Sequence, residues 1–377
     1  MAVVREIDGK SRKELKQFIK FANKHYQKNK FFVSQLLSDQ IKTLSGINNP
    51  LFDNGVYAFF MAFEEDVPVG RICVGIDEKL NTLRNKKQGW FTLFECVDDA
   101  DTAALLFEAA AAWLRERGVT TMIGPVSPTN GDDSKGVLVQ GFDGPPVLLN
   151  SYNYQYYHDL YTGWGFEKDE DHLAFLFHPE TINAERYGAT IDRIMQRNRF
   201  KIDRLDISPK NREKEARDIK QILDEGMSED WEYTTPPSLK AITDEMSNLG
   251  SFYSNRYCFV ARTYEGRPVG FCLALPDFNQ VLIKMKGRLL PLGWLKFLIY
   301  RKKINGIRGF VQFVSMDYQQ RGVSAALLRA VIDDFIETGI AFGEASTIGE
   351  YNARSIATME RAGGKLYRVY RVFRKAV

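Results

Sequence analysis

The sequence predicts an α/β (α+β) fold in which one module occurs twice along the chain. Stretches that alternate apolar and polar residues, as half-buried strands do, are interspersed with amphipathic helical stretches over all 377 residues. An internal repeat then divides the chain into two similar halves. The pairs spaced by 200 residues are Tyr57 and Tyr257, Phe59 and Phe259, Glu65 and Glu265, Pro68 and Pro268, Val69 and Val269, Gly70 and Gly270, and Asp77 and Asp277. Those spaced by 199 residues are Tyr152 and Tyr351, Asn153 and Asn352, and Gly165 and Gly364.

The composition restricts the class of protein. The chain is 44% apolar and 26% charged, as is usual for a globular protein, and its net charge of +3 does not indicate a nucleic-acid partner. Four cysteines without C-x-x-C spacing predict neither a disulfide framework nor a metal site, and they fit a reducing cytoplasm. No apolar run approaches the roughly 20 residues that span a bilayer, and the N-terminus lacks a signal core.

The first module is predicted to span residues 1–180. Helices are expected at Ser11–Tyr26, Ser34–Leu44, Ala100–Arg117 and Tyr152–Gly165, and strands at Tyr57–Phe63, Val69–Ile76, Trp90–Glu95, Val119–Ile123 and His172–Phe177. A polar turn typical of a hairpin joins the first two strands. The irregular segment Gly124–Pro146 is rich in Gly, Pro, Asp and Asn, and it predicts either a surface loop or a wall of a substrate cleft.

A linker helix is predicted within residues 181–199, and the second module at residues 200–377. Its helices are expected at Ser208–Glu225, Ser238–Leu249, Val323–Glu337 and from Asn352 onward, and its strands at Phe200–Asp206, Tyr257–Thr263, Val269–Leu275, Phe310–Val314, Ile340–Ala345 and Leu366–Phe373. Ser208 and Pro209 are residue types favoured at a helix start.

The most informative stretch is the junction between the strand Phe310–Val314 and the helix that follows Gly322. A strand that runs directly into a tight turn and a helix leaves backbone amides unpaired at the positive end of the helix dipole, which suits a pyrophosphate. Gly322 has no side chain to hold a phosphate away from the backbone, and Ser324 is small. Ordinary strand-to-helix connections also contain such glycines, so this geometry alone leaves both interpretations open.

The spacing Gln319-x-x-Gly322-x-Ser324 resembles the Gln/Arg-x-x-Gly-x-Gly/Ala signature of the GNAT acyltransferases, which bind the pyrophosphate of acyl-coenzyme A. Val314 and Tyr318 stand where the Val-x-Pro-x-Tyr run of that family would place them. The resemblance implies two tandem GNAT-like modules, each a mixed, mostly antiparallel sheet flanked by helices. It also implies a cosubstrate, which would be acetyl-CoA or a longer acyl-CoA.

The resemblance further implies which residues hold the coenzyme. The backbone of Val314, Ser315 and Met316 would hold the pantetheine and polarise the thioester carbonyl. Asn352 would lie near the pantetheine arm, or it is simply the N-cap of the next helix. The residues that would grip the pyrophosphate are Gln320, Arg321, Gly322, Val323, Ser324 and Ala325, with Arg321 either a direct phosphate partner or a solvated surface arginine.

The acid and the base depart from the family pattern. Many members protonate the departing thiolate with a tyrosine seven residues after the asparagine, and here Met359 occupies that position, where its thioether cannot donate a proton. The candidates are Tyr351, Tyr367, Tyr370 or water for the acid, and Glu344 or Glu350 for the base. Of these we retain Tyr351 and Glu344 as the predicted catalytic residues.

The corresponding turn of the first module is Val97–Asp101. It has no glycine and carries three carboxylates, which would repel a pyrophosphate. The first module is therefore predicted to be a degenerate copy that does not bind coenzyme A.

An insert, residues 284–303, has no counterpart in the first half. Its segment Leu289–Tyr300 is apolar, with Trp and Tyr near its ends and lysines and arginines on both sides. This pattern predicts either a helix packed on the core or on a second subunit, or a segment lying on a membrane surface where a lipid amine or long acyl chain enters. No array of stacking aromatics indicates nucleic acid.

The predicted function is transfer of an acyl group from a coenzyme A thioester to a primary amine, either a small molecule or a lipid. The overall pattern also resembles a set of bacterial GNAT-like acyltransferases, some associated with N-acylation of lipid amines such as sphingoid bases. The alternative is a non-catalytic tandem GNAT-like protein that binds a ligand or a membrane. The expected location is the cytoplasm, with peripheral contact at the inner face of the membrane.

Overall fold

The computed structural model describes residues 1–46, 49–129, 131, 133–182, 184–226, 236–252 and 255–377, with the backbone alone for residues 184–187, 248–252, 255 and 310. The chain forms two compact units. Unit 1 consists of Met1–Leu173, Phe278–Ile304 and Arg368–Val377, and unit 2 of Ala174–Asp277 and Asn305–Tyr367. The module boundaries at residues 180 and 200 were predicted from the sequence repeat and not from this division into units, and they stay a prediction.

Unit 1 contains most of the elements of the first half of the chain, the insert and the C-terminal strand. Its strands are β1 Val3–Ile7, β2 Gly55–Glu64, β3 Val67–Asp77, β4 Gln88–Cys96, β5 Thr121–Gly124 and β6 Val137–Gln140; β7 Glu167–Phe177 begins in it. Its helices are α1 Arg12–His25, α2 Leu37–Leu44, α3 Pro50–Asp53, α4 Glu78–Arg84, α5 Ala100–Arg115 and α6 Tyr157–Gly163, with two more in the segment Phe278–Ile304.

The sheet of unit 1 is mixed and mostly antiparallel. The strands β1 to β4 pair antiparallel in chain order, β4 pairs parallel with β5, and the chain's last strand pairs antiparallel with β5. Alternate residues of β2 enter different cores, since Phe60 and Ala62 face the cluster under α5, and Phe59 and Met61 face the cluster under α1. Helices therefore cover both faces of this sheet.

Unit 2 contains the remaining elements. Its helices are α7 Ala184–Arg197, α8 Arg212–Gly226, α9 Leu239–Phe252, α12 Val323–Thr338 and α13 Ala353–Arg361. The two helices that lie between α9 and α12 in the chain belong to unit 1; they are α10 Asn279–Met285 and α11 Gly293–Tyr300. Its strands are β8 Phe200–Arg204, β9 Cys258–Thr263, β10 Pro268–Pro276, β11 Gly306–Val314 and β12 Phe342–Gly349, and β13 Lys365–Ala376 begins in it.

The sheet of unit 2 has the same kind of pairing. The strands β8 to β11 pair antiparallel in chain order, and β11 pairs parallel with β12. Phe259 and Ala261 of β9 face the core under α12, whereas Cys258 and Val260 face the core under α8 and α9. The predicted fold class, two modules with mixed, mostly antiparallel sheets flanked by helices, is confirmed.

Three local predictions were wrong, the first two because side chains compete with regular structure. The helix expected from Tyr152 begins at Tyr157, since the amide of Asn153 bonds the backbone N–H and C=O of Leu138. The helix expected from Ser208 begins at Arg212, after a turn in which the Asp206 carboxylate accepts from the Ser208 amide. The segment expected to be irregular between residues 124 and 146 contains the strand β6.

Candidate functional site

The parallel strands β11 and β12 of unit 2 separate before they end. Among the fully described residues, their register runs from Gly306 opposite Phe342 to Gly309 opposite Ala345, whereas β11 continues to Val314 and β12 to Gly349. On its other side β11 stays paired to β10 as far as Val314. An extended ligand could therefore bond to the free edge of β11 as a short extra strand would.

The turn after β11 leaves a set of amides without protein acceptors. A single 3₁₀ turn follows the strand. In it the Tyr318 amide donates to Ser315 O at 2.9 Å, and the Arg321 amide donates to Tyr318 O at 3.3 Å. Pairing resumes only where the Ala326 amide donates to Gly322 O at 3.0 Å. Within the part of this turn that the structure describes, the amides that donate to no protein atom are those of Met316, Asp317, Gln320, Gly322, Val323, Ser324 and Ala325. The last five of these lie at or directly before the start of α12.

These donors lie at the N-terminus of α12, a helix of 16 residues. Neither a side-chain cap nor an acidic residue in the first turn neutralises the partial positive charge there. Arg321 adds a full charge; it makes no ion pair with any described residue, and its guanidinium lies over the Tyr318 ring at 5.0 Å. The arrangement suits a ligand with several anionic oxygens.

Gly322 is required for reasons that differ from the one expected. Its φ of +82° lies in the left-handed region, which favours glycine. A Cβ atom here would lie 2.4 Å from Cγ2 of Ile194 on α7. The lack of a side chain at Gly322 therefore leaves room for Ile194 of the same unit, whereas an anion would be bound by the backbone amides at the start of α12.

The predicted coenzyme residues lie at one end of β11 and at the start of α12. Val314 ends the strand, Ser315 is buried and Met316 is exposed. The Val323 side chain is buried in the core, so its amide alone is available for a ligand. Asn352 caps α13, since its side chain accepts from the Ser355 amide at 3.0 Å.

A buried polar cluster lies beside the point where the strands separate. Arg308 and Glu344 stand opposite each other, one rung before Gly309 and Ala345. Glu344, only 2% exposed, accepts from Ser346 Oγ at 2.5 Å and from the Tyr367 hydroxyl, and Arg308 Nε lies 3.9 Å from it. Arg308 Nε also donates to Ser346 Oγ at 2.9 Å. The carboxylate is therefore held by three polar groups, of which Tyr367 is half-buried.

The other predicted acid and base candidates have different surroundings. Tyr351 is 76% exposed at the start of the loop before α13, and Glu350 beside it is half-buried. Tyr370 is fully buried and belongs to unit 1. Met359, which replaces the family's tyrosine, is buried in its helix, so a packing role explains it. The sequence could not reveal that Tyr367 contacts Glu344, because 23 residues separate them.

Comparison with known proteins identifies a domain in the second half of the chain. Residues 217–364 match the model of the acetyltransferase (GNAT) family. The chain carries a GNAT domain. This match covers the turn at Gly322 and both separated strands, so the predicted resemblance is confirmed.

Two curated relatives match nearly the whole chain. The protein called bacterial ceramide synthase from Caulobacter vibrioides (strain NA1000 / CB15N) is 28% identical over 97% of this chain and 95% of its own length. Protein YghO from Escherichia coli (strain K12) is 26% identical over 97% of this chain and 94% of its own. Among solved structures, a tandem GNAT protein from the clavulanic acid biosynthesis pathway superposes with a TM-score of 0.59 at 8% identity, covering 100% of this chain and 98% of that one. At that identity the likeness concerns the fold alone.

The strand-to-helix turn of unit 1 differs from the one in the GNAT domain. The Asp99 carboxylate caps α5 by accepting from the Thr102 amide at 2.7 Å, and hydrogen bonds from the Thr102 side chain and amide lower the pKa of Asp99. In unit 1 a carboxylate therefore accepts a hydrogen bond from an amide at the start of α5, whereas the first amides of α12 have no protein acceptor. That the first module does not bind coenzyme A stays a prediction.

Unit 1 contains a buried polar network that the sequence did not predict. Glu95 of β4 accepts from the hydroxyls of Tyr26 at 2.5 Å and Tyr157 at 2.7 Å, and Arg71 lies 3.8 Å away. Burial raises the pKa of Glu95, and the charge of Arg71 opposes that shift. The only hint in the sequence was the crowding of tyrosines at residues 152–157.

The tautomer of His25 follows from the protons in this network. The Tyr156 hydroxyl donates to Cys96 O at 2.7 Å, and the Tyr157 hydroxyl donates to Glu95. Each hydroxyl has one proton, so His25 Nε2, 3.2 Å from both oxygens, must be the donor. Burial, with a smaller contribution from Arg71, lowers the pKa of His25 to about 4. His25 is therefore neutral near pH 7, with its proton on Nε2.

This shift predicts a dependence of stability on pH. Between about pH 4 and 6.5 the unfolded chain binds a proton on His25 that the folded chain does not, so the free energy of unfolding should fall as the pH drops through that range. Above pH 6.5 neither state binds this proton, so His25 no longer makes the free energy of unfolding depend on pH. Glu95 contributes with the opposite sign, because its raised pKa makes the folded state bind a proton first.

The variant His25→Gln removes the titrating imidazole and thereby tests its contribution to this pH dependence. Denaturant unfolding at pH 7.0 and pH 4.5 should show a larger loss of stability for the wild type than for the variant, since an amide does not titrate. The same loss in both proteins would contradict the assigned protonation state.

Among the described residues no group of three or more His, Cys, Asp or Glu side chains is placed to hold a metal ion. None of the described helices is long and apolar enough to cross a membrane.

Proposed function

We propose that this protein is an N-acyltransferase that uses acetyl-CoA or a longer acyl-CoA to acylate a primary amine. The observation that carries the proposal is the row of five unpaired amides at the start of α12, next to a free strand edge. The amides suit the pyrophosphate, and the edge of β11 suits the pantetheine, whose amide groups hydrogen-bond as a peptide does. The family match supports the same assignment.

The proposed reaction needs a hydrogen-bond donor for the carbonyl and a route for one proton. The amine nitrogen attacks the thioester carbonyl carbon, and the backbone N–H groups of Val314 and Met316 stabilise the negative charge on the oxygen. The Ser315 amide is not available for this, because it donates to Val269 O at 3.0 Å. The carbon–sulfur bond then breaks, giving an amide and the thiolate of coenzyme A. The proton lost by the nitrogen and the one gained by the sulfur balance, so neither an oxidant nor a metal is needed.

Glu344 is the proposed base, acting through Tyr367. The carboxylate is too deeply buried to meet a substrate amine directly, but the Tyr367 hydroxyl that donates to it is half-buried. Tyr367 can accept a proton from the amine while passing its own to Glu344. Arg308 and Ser346 keep the carboxylate in place, which makes them positioning residues.

Tyr351 remains the proposed proton donor to the thiolate. Its exposed hydroxyl has access to solvent for reprotonation, and it lies directly before Asn352, the residue proposed to meet the pantetheine arm. A thiol has a pKa near 8.5, so its thiolate is a tolerable leaving group and the donor is less critical than the base.

The proposed acceptor is a lipid amine. The support is the relative named bacterial ceramide synthase, which matches 97% of this chain, because a ceramide is the amide of a long-chain amino alcohol. The proposed localisation of the protein is the cytoplasm, with peripheral contact at the inner membrane face, where such an amine is available.

The activity is tested by product stoichiometry. Purified protein is incubated with palmitoyl-CoA or acetyl-CoA and a long-chain 2-amino-1,3-diol, with the matching diol that lacks nitrogen as control. We expect free coenzyme A and N-acyl product to form in equal amounts, and neither with the control. Coenzyme A binding without turnover of any amine would favour the alternative, a non-catalytic tandem GNAT-like protein that binds a ligand or a membrane.

A further inference from the structure

The insert of unit 1 exposes an unusual amount of apolar surface. Seven large apolar side chains within eleven residues are between 41% and 73% exposed to solvent. They are Leu289, Leu290, Leu292, Trp294, Leu295, Leu298 and Ile299. Removing such groups from water is favourable, so an exposed apolar patch of this size marks a contact surface.

The exposure is not a sign of a detached segment. Met285 of the insert is buried, as are Phe278 and Val281 directly before the insert, and the Phe278 and Phe297 rings stack at 6.0 Å. Lys296 Nζ donates to Lys284 O at 3.0 Å, and the Leu37 amide of unit 1 donates to Gly287 O at 3.3 Å. One side of the insert is therefore anchored on its unit, and the other side presents leucines and a tryptophan outward.

The patch is surrounded by positive charge. No Asp or Glu occurs between Asp277 and Asp317, whereas residues 278–304 contain seven basic residues. These are Lys284, Lys286, Arg288, Lys296, Arg301, Lys302 and Lys303. Apart from the Lys284–Lys296 backbone contact and stacking of Arg301 and Lys303 on nearby rings, no ion pair with a described residue neutralises them.

This combination fits an anionic lipid surface. The helix α11 has eight residues, about 12 Å, which is far too short to span a bilayer of roughly 30 Å but suits a segment lying in the headgroup region. Tryptophan favours that region, and flanking lysines and arginines extend towards lipid phosphates while their alkyl stems stay near the acyl chains.

A second copy of the chain fits less well. In a symmetric dimer the same patch would meet itself, which would place seven cations opposite seven cations with no acidic residue of the insert to pair with them. Protein interfaces are also depleted in lysine. Charge complementarity thus favours a bilayer over self-association.

We propose that the insert, residues 284–303, docks this protein on bilayers that contain anionic lipids. The leucines and Trp294 enter the headgroup boundary, and the basic residues contact the phosphates. The proposal stands independently of acyl transfer, since it rests on unit 1 alone and is measured without substrate.

The test is vesicle flotation of the full chain. Vesicles of phosphatidylcholine alone are compared with vesicles that also contain 30% phosphatidylglycerol, at about 0.1 M and 0.5 M salt. We expect flotation with the anionic vesicles, at least tenfold weaker partitioning without phosphatidylglycerol, and a marked loss at high salt. An absence of flotation with the anionic vesicles overturns the proposal.

Two variants separate the contributions. Replacing Leu290, Leu292 and Trp294 with Ser should weaken partitioning at least tenfold, and replacing Arg301, Lys302 and Lys303 with Gln should remove most of the salt dependence. A matched control changes three exposed apolar residues elsewhere in unit 1, Val67, Leu83 and Leu105, to Ser, and should float like the wild type. Circular dichroism and the melting temperature show that each variant is folded.

Two other occupants of the patch are outcomes of the same experiment. Light scattering measures the mass of the wild type and the triple serine variant, and a dimer lost in the variant would assign the patch to self-association. Binding of a duplex oligonucleotide as strongly as the anionic vesicles would assign it to nucleic acid. Either result overturns the lipid assignment.

Discussion

Replacing Ser324 with aspartate is expected to reduce the affinity for coenzyme A by about 100-fold or more, roughly 2.7 kcal/mol, without unfolding the protein. Ser324 is the second residue of α12, where its amide is among those that have no protein acceptor. A carboxylate in the first turn of a helix stabilises the helix through its dipole. The same carboxylate would repel a pyrophosphate and compete for the free amides, so binding and stability should change in opposite directions.

Isothermal calorimetry with coenzyme A measures the effect. Ser324→Ala is the matched control and should bind within a few-fold of the wild type, because it leaves the amides and the charge unchanged. Gly322 is a poorer position for this test, since any side chain there meets Ile194 and strains the backbone. Equal affinity of the aspartate variant and the wild type would rule out an anion site at the start of α12.

Replacing Glu344 with glutamine is expected to lower kcat by about 10²- to 10³-fold, within the usual contribution of a general base. The KM for acyl-CoA should change little, since the carboxylate lies in the buried cluster rather than among the free amides. Glutamine keeps the size of the side chain but cannot accept a proton from Tyr367. Steady-state release of coenzyme A measures both constants.

The relay through Tyr367 has its own signature. If Tyr367 and Glu344 act as one unit, then Tyr367→Phe should cost about as much as Glu344→Gln, and the double variant should cost little more than either. Glu360→Gln, a change at an exposed glutamate of the same unit, is the control for nonspecific charge effects. Additive losses, or full activity of Glu344→Gln, would remove Glu344 from the mechanism. Tyr351→Phe tests the proposed acid separately and should have the smaller effect.

The fold was largely predictable because its determinants are local. Periodic apolar residues gave the strands β2, β3, β9 and β10 within about three residues, and the predicted bounds of the helices α1 and α5 were equally close. One error occurred where a side chain bonds a distant backbone, as Asn153 does with Leu138 across 15 residues. Such contacts have no periodic signal.

The candidate site was predictable in part for the same reason. The turn at Gly322 is continuous in sequence, so the motif identified it, whereas the cluster around Glu344 unites residues from three separate strands. The network of His25, Glu95 and the tyrosines spans more than 130 residues, and the crowded tyrosines at residues 152–157 did not indicate which residues they contact. Contacts of that range depend on tertiary packing.

The central claim is tested most directly by a crystal structure of the protein with coenzyme A bound. The account predicts pyrophosphate oxygens within about 3.2 Å of the amide nitrogens of Gly322 and Val323–Ala325, and pantetheine along the free edge of β11. A pyrophosphate bound elsewhere, or those amides turned towards protein acceptors in the complex, would contradict it.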